Sequence, residues 1–249
     1  MIRFLAIQHT FAEFLGALEP QFEARGIAFT YLRPVTGQDV TAAAGQFDCL
    51  WLLGGAFPVA DRARCPWVDD ERRLVTAFER SRRPVVGLGF GAHVVALAHG
   101  GTARAEPAHD TCWTVARATA AGREDPVARA VDGRHVLVMA NGAVELPAGM
   151  APLVVSDDGR WLAIRPTPLA YGLAFRPELK PGMIEDMIME DGRPVPENIG
   201  AILEEARARW ADAQETTARV VAGLVEALDL MQERRKMPVF GLKAVREDE

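Results

Sequence analysis

The sequence predicts an α/β fold, a mostly parallel central sheet between helices with an additional antiparallel strand layer. Three observations carry that expectation. Short apolar runs alternate with helical periodicity over the first hundred residues. The run Pro84-Val85-Val86-Gly87-Leu88-Gly89-Phe90-Gly91-Ala92-His93 has the shape of a strand turning sharply into a helix, as at a nucleophile elbow. Residues 111–175 then change to short strands separated by Gly, Pro and Asp turns.

In chain order, Ile2–Ile7 reads as a buried strand and Phe11–Ala24, with apolar residues at helical spacing, as a helix. Ile27–Leu32 is a second strand, Gln38–Ala44 a short helix, and Cys49–Leu53 a third strand ending in Gly54-Gly55. Val68–Arg80 is an amphipathic helix with Asp69, Asp70 and Glu71 early and arginines late, the order the helix dipole favours. Pro84–Leu88 is the fourth strand, and Gly91–His99 is a small-residue helix closing at Gly100-Gly101.

A mixed, partly antiparallel layer is expected from Trp113–Ala116, His135–Met139, Leu153–Ser156, Trp161–Ile164 and Ala170–Phe175. From Pro181 the chain is helical again, with a loop around residues 192–196 and one long or broken amphipathic helix over Asn198–Leu230. We expect one domain over residues 1–230 and a tail over 231–249, whose apolar stretch Met237–Leu242 must be covered by its own domain or by another chain.

The 249 residues suffice for one large buried core. The net charge is −6, with no basic segment interleaved with aromatics, which argues against a nucleic-acid partner. Cys49, Cys65 and Cys112 form no CxxC pair, so neither zinc nor a disulfide framework is expected, and no metal or cofactor is called for. No signal-like N-terminus and no run near the roughly 20 apolar residues of a membrane span is present. The expectation is a cytoplasmic protein without membrane contact.

Several motifs then recur in order. Gly54-Gly55-Ala56-Phe57-Pro58-Val59 is followed by Pro66-Trp67-Val68-Asp69-Asp70-Glu71, by Gly87-Leu88-Gly89-Phe90-Gly91-Ala92-His93, and by Gly122-Arg123-Glu124-Asp125-Pro126. Asn141-Gly142 leads to Leu146-Pro147-Ala148-Gly149, and Gly172-Leu173-Ala174-Phe175-Arg176-Pro177-Glu178 closes the series. Over about residues 45–230 this order resembles the class I glutamine amidotransferases, in particular the stand-alone branch similar to the glutaminase domain of GMP synthase. The resemblance implies a flavodoxin-like three-layer sandwich and, in the family, a cysteine nucleophile, a histidine base and a glutamate that orients it.

The catalytic positions depart from that pattern. Gly89 stands where the family has its cysteine, Arg176 where it has the base, and His93 where it has a substrate-contacting glutamine; Ala140 replaces a further histidine and Glu178 is retained. Gly89 offers no attacking atom, and an arginine, with a pKa above about 12, is no general base. Two readings of Arg176 follow. It either pairs with Glu178 in a structural clasp, or holds a small anion beside the helix that begins at Phe90. His93 is either a pocket acid, base or ligand, or a locally hydrogen-bonded residue.

Gly54 and Gly55 match the family's oxyanion loop, and rescue by Cys65 is not expected. The resemblance with this degenerate triad implies a non-catalytic binding or scaffold subunit, with a protein partner or a second copy engaged through the tail. The alternative is an enzyme of a different reaction, or an anion binder, in a pocket around Gly54, Gly55, Phe90, His93, Arg176 and Glu178. A laboratory Cys→Gly change at position 89 would not account for Arg176 and Ala174 as well.

Overall fold

The computed structural model describes residues 1–40, 44–190 and 195–234. Five strands form the parallel half of the main sheet: β1 (Arg3–Ile7), β2 (Ala28–Leu32), β3 (Cys49–Leu52), β4 (Val85–Leu88) and β10 (Ala170–Leu173). Beyond β10 the sheet continues antiparallel through β9 (Trp161–Thr167), β8 (Val154–Val155) and β6 (Arg117–Ala118). The full order is β2-β1-β3-β4-β10-β9-β8-β6, so the parallel half follows the flavodoxin-like arrangement. A separate antiparallel ribbon pairs β5 (Thr102–Val115) with β7 (His135–Glu145).

Strand alternation explains the layers. Phe4, Ala6, Cys49 and Trp51 face one side, where they meet α4 (Pro126–Val131) and α7 (Trp210–Leu228). Leu5, Ile7, Leu50 and Leu52 face the other, packed on α2 (Val68–Arg80) and α3 (Phe90–Ala98). Both faces of the central strands are buried, which is why they read as continuous apolar runs. A third, smaller cluster joins α5 (Pro181–Ile188) and α6 (Ile199–Ala208) to Ala12 and Leu137.

Two expected helices differ. The segment 11–24 is a loop followed by a single 3-10 turn, Gly16–Leu18, and the five-residue α1 (Glu19–Glu23). Leu15, Leu18 and Phe22 are buried as their spacing implied, but Gly16 adopts φ +51°, and a side chain there would strike the Glu178 carbonyl at 2.3 Å. Residues 38–40 form no helix; 3-10 turns lie on either side at Pro34–Thr36 and Ala44–Gln46, and residues 41–43 lie outside the described chain. β5 also begins well before the expected Trp113, and the long C-terminal helix breaks at Arg209 into α6 and α7.

The start of the tail is tied down at the end of the sheet opposite the elbow. Arg234 donates its backbone N–H to Asp48 just before β3, and its guanidinium to the carbonyls of Arg82, Leu228 and Asp229. The apolar stretch Met237–Leu242 and most of the loop at 192–196 lie outside the described residues.

The elbow depends on close backbone packing. A Cβ at Gly91 would stand 2.0 Å from the Leu52 carbonyl oxygen, and one at Gly87 would stand 2.2 Å from the Gly91 carbonyl oxygen. Only glycine lets α3 lie so near β3 and β4. The Gly91→Ala variant is expected to lose about 2–3 kcal/mol of stability, because backbone rather than a movable side chain opposes the methyl. Urea unfolding measures it, and a loss under about half a kcal/mol would refute this packing account.

Candidate functional site

Gly89 makes the sharp turn from β4 into α3. Its φ is +51° and ψ is −110°, and its N–H donates to the Leu173 carbonyl at the end of β10. Three residues beyond that carbonyl, Arg176 turns back over the elbow. A Cβ at Gly89 would lie 2.8 Å from Arg176 Cδ and 3.1 Å from Nε. The space a side chain at position 89 would enter is filled by the arginine.

Two buried carboxylates hold that arginine. Nε donates to Glu178 Oε1 at 2.6 Å, and Nη2 donates to Glu13 Oε1 at 2.8 Å; Nη1 lies 3.4 Å from the Met139 carbonyl. The Arg176 and Glu13 side chains are 1% and 0% exposed. Burial alone would lower the Arg176 pKa, but Glu178 and Glu13 outweigh it and raise the value. At Glu178, burial is the larger effect and pushes the carboxyl upward against the pull of Arg176.

The surrounding chain fixes this clasp. The Thr10 hydroxyl donates to Glu13 Oε2 and accepts from the Glu13 N–H, so a short polar turn directs the carboxylate inward. The Glu178 carbonyl accepts from the Ala17 N–H, and the Thr217 hydroxyl on α7 donates to the Pro177 carbonyl. Gly54 is required beside it, because a Cβ there would fall 2.1 Å from Arg176 Nη2 and 2.2 Å from Glu13 Oε1.

A second buried charged group adjoins the first. His9 Nδ1 donates to the Gly54 carbonyl at 2.8 Å, and Nε2 meets Glu71 Oε1 at 2.8 Å. Desolvation lowers the His9 pKa, but the charge and hydrogen bond of Glu71 and the Gly54 carbonyl prevail and raise it. The Phe90 ring lies against both His9, at 4.5 Å between centroids, and Gly55. Asn141 completes the loop by donating to the Ala56 carbonyl at 2.7 Å.

Gly54, Gly89, Arg176 and Glu178 therefore converge, with Gly55 and Phe90 alongside. His93 stands apart: it lies one turn along α3, 4% exposed, with its ring edge-on to Trp161 at 5.6 Å. Its Nδ1 has no hydrogen-bond partner among the described residues, and burial lowers its pKa to about 4. Cys65 is buried and its thiol is pushed up to about 12 by desolvation, which leaves it inert as a nucleophile at neutral pH. No group of three or more His, Cys, Asp or Glu with metal-binding geometry occurs among the described residues.

Glu13, His9 and Glu71 were not singled out from the sequence as site residues. The available signal was position: Gln8-His9-Thr10 is a polar run directly after β1, at the carboxyl ends of the parallel strands where such folds place their sites.

Comparison with known proteins bears on the fold. The crystal structure of a glutamine amidotransferase from Methylobacillus flagellatus superposes with a TM-score of 0.80 at 19% identity, over 95% of this chain and 98% of the other. A glutamine amidotransferase from Thermotoga maritima superposes at 0.71 with 19% identity, over 92% of this chain and 98% of that one. The fold is thus the flavodoxin-like α/β sandwich of the class I glutamine amidotransferases. In sequence, the chain is 27% identical over 124 residues to the glutamine amidotransferase-like protein YfeJ of Salmonella typhimurium, across 49% of this chain and 52% of that protein. It spans about half the length of this curated relative. No protein-family model matches the chain.

Two predictions follow from the buried charges. Glu13→Ala strands the Arg176 guanidinium against a single carboxylate and is expected to cost about 3–5 kcal/mol in urea unfolding. His9, whose folded pKa is raised, contributes stability that is complete below about pH 6.5 and is lost as pH rises through the folded value. Stability should therefore fall with pH above about 6.5 by at most about 1.4 kcal/mol per unit from this group, and His9→Asn should flatten the slope. Parallel pH profiles of the two proteins would reject this role for His9.

Proposed function

We propose that this protein is a glutamine amidotransferase-like protein that has lost glutaminase chemistry and works as a non-catalytic binding or scaffold subunit. One observation carries the reading: the Arg176 side chain occupies the volume in front of Gly89, within 2.8 Å of where a Cβ would stand. Neither a thioester nor proton transfer has a residue to perform it at that place, since glycine supplies no nucleophile and a guanidinium no base.

The clasp reading of Arg176 is the better supported. Its Nε and Nη2 are already committed to carboxylates, so an added anion would face two negative groups for one positive. Binding of a small molecule in place of catalysis keeps support from His93, which lies outside the clasp. In this reading residues 1–230 are the domain and 231–249 the tail that meets a partner or a second copy. The three cysteines are free, as suits a cytoplasmic protein. No helix among the described residues is long and apolar enough to cross a membrane.

A glutaminase assay tests the reading. The natural chain and Gly89→Cys alone are expected to release no ammonia above a blank, the latter also losing stability because its side chain meets Arg176 at a positive φ. Gly89→Cys with Arg176→His, and Glu13→Gln added so that no carboxylate is left unpaired, is expected to gain measurable hydrolysis. Ammonia release by the natural chain would overturn the proposal.

A further inference from the structure

We propose that the cavity in front of His93 binds a small organic monocarboxylate, with an apolar or aromatic body, one hydrogen-bonding group at its inner end and the carboxylate at the mouth. The inference rests on the reading of the protein as a binder and gives that binder a ligand class.

The cavity measures about 480 Å³ and lies between α3, β7 and β9. That volume suits a small molecule. Its walls are mostly apolar, from Val138, Val144, Leu162, Ala174 and the Trp161 ring. The Trp161 Nε1 already donates to the Val144 carbonyl at 2.8 Å, so the indole is fixed in place and presents carbon rather than a donor.

At the inner end the buried His93 imidazole lines the cavity, and its Nδ1 has no hydrogen-bond partner among the described residues. Native structures rarely leave such a group unsatisfied without a reason. The low pKa keeps the imidazole neutral at physiological pH, and a neutral ring offers one donor and one acceptor, which suits a hydroxyl that can play either part.

The mouth carries two ion pairs, Arg104–Glu145 and Arg160–Asp158, and of the second pair the arginine alone lines the cavity. These side chains are about half exposed. Surface pairs of this kind contribute little and can exchange a partner for a ligand carboxylate. Glutamine fits poorly, because with its carboxylate at the mouth its primary amide, with two donors and an acceptor to satisfy, would lie among the apolar walls beside His93.

Titration calorimetry of the full chain with para-hydroxyphenylacetate, phenylacetate, tyramine and glutamine tests the proposal. The hydroxylated acid is expected to bind, phenylacetate about tenfold more weakly for want of a partner to His93, and tyramine and glutamine not at all. His93→Leu should abolish the preference for the hydroxyl. Arg160→Ala, at an exposed position that leaves folding intact, should weaken both acids several-fold while keeping that preference.

Absence of binding by both acids at millimolar concentration, acid affinities unchanged in Arg160→Ala, or tighter binding of glutamine would each overturn it. If thermal unfolding shows that His93→Leu does not fold, Arg160→Ala and the phenylacetate comparison decide. The glutaminase assay is independent of these titrations, so the two readings fail separately.

Discussion

The guanidinium of Arg176, buried between Glu13 and Glu178 above Gly89, is the interaction on which the rest of the site depends. A charge removed from water is costly unless it is paired and hydrogen-bonded, and here two carboxylates supply the pairing. That requirement reaches far along the chain. It forbids a side chain at Gly54 and at Gly89, and it requires the loop after β1 to present Glu13. It also keeps the residues after β10 clamped by the turn at Gly16–Leu18 and by Thr217.

The sheet explains why these parts can meet. β1, β3, β4 and β10 run parallel, so the segments that leave their carboxyl ends emerge on one side: Glu13 after β1, Gly54 after β3, Gly89 after β4 and Arg176 after β10. Pairing of β4 with β10 brings the elbow and the arginine together directly, since the Gly89 N–H bonds the Leu173 carbonyl. The charges lie 163 residues apart in sequence for Glu13 and Arg176, yet each sits within a few residues of a strand end.

This geometry marks what the sequence could reveal. The central strands, the glycines of the elbow and the Arg176–Glu178 pairing were legible, because apolar runs, backbone contacts and near neighbours are local properties. The segment 11–24 has helical apolar spacing yet is mostly not helical, because apolar spacing reports which residues are buried and does not report their backbone conformation. Its conformation is dictated by Gly16 fitting against the Glu178 carbonyl, a contact visible only once the strands are assembled. Placing Glu13 in a helix hid the second partner of Arg176.

The same contact makes Gly89 and Arg176 one structural unit. With any side chain at position 89, the Arg176 methylenes would be displaced, and the hydrogen bonds to Glu13 and Glu178 would be strained in turn. With a shorter residue at 176, Glu13 would be left as a buried carboxylate beside Glu178, which neither group tolerates. Each position therefore constrains the other through steric and electrostatic terms of several kcal/mol. His93 escapes this coupling: it lies one helical turn beyond Gly89 and lines a different cavity, so its surroundings can change without disturbing the clasp. The filled elbow and the open cavity on the same helix are thus structurally independent.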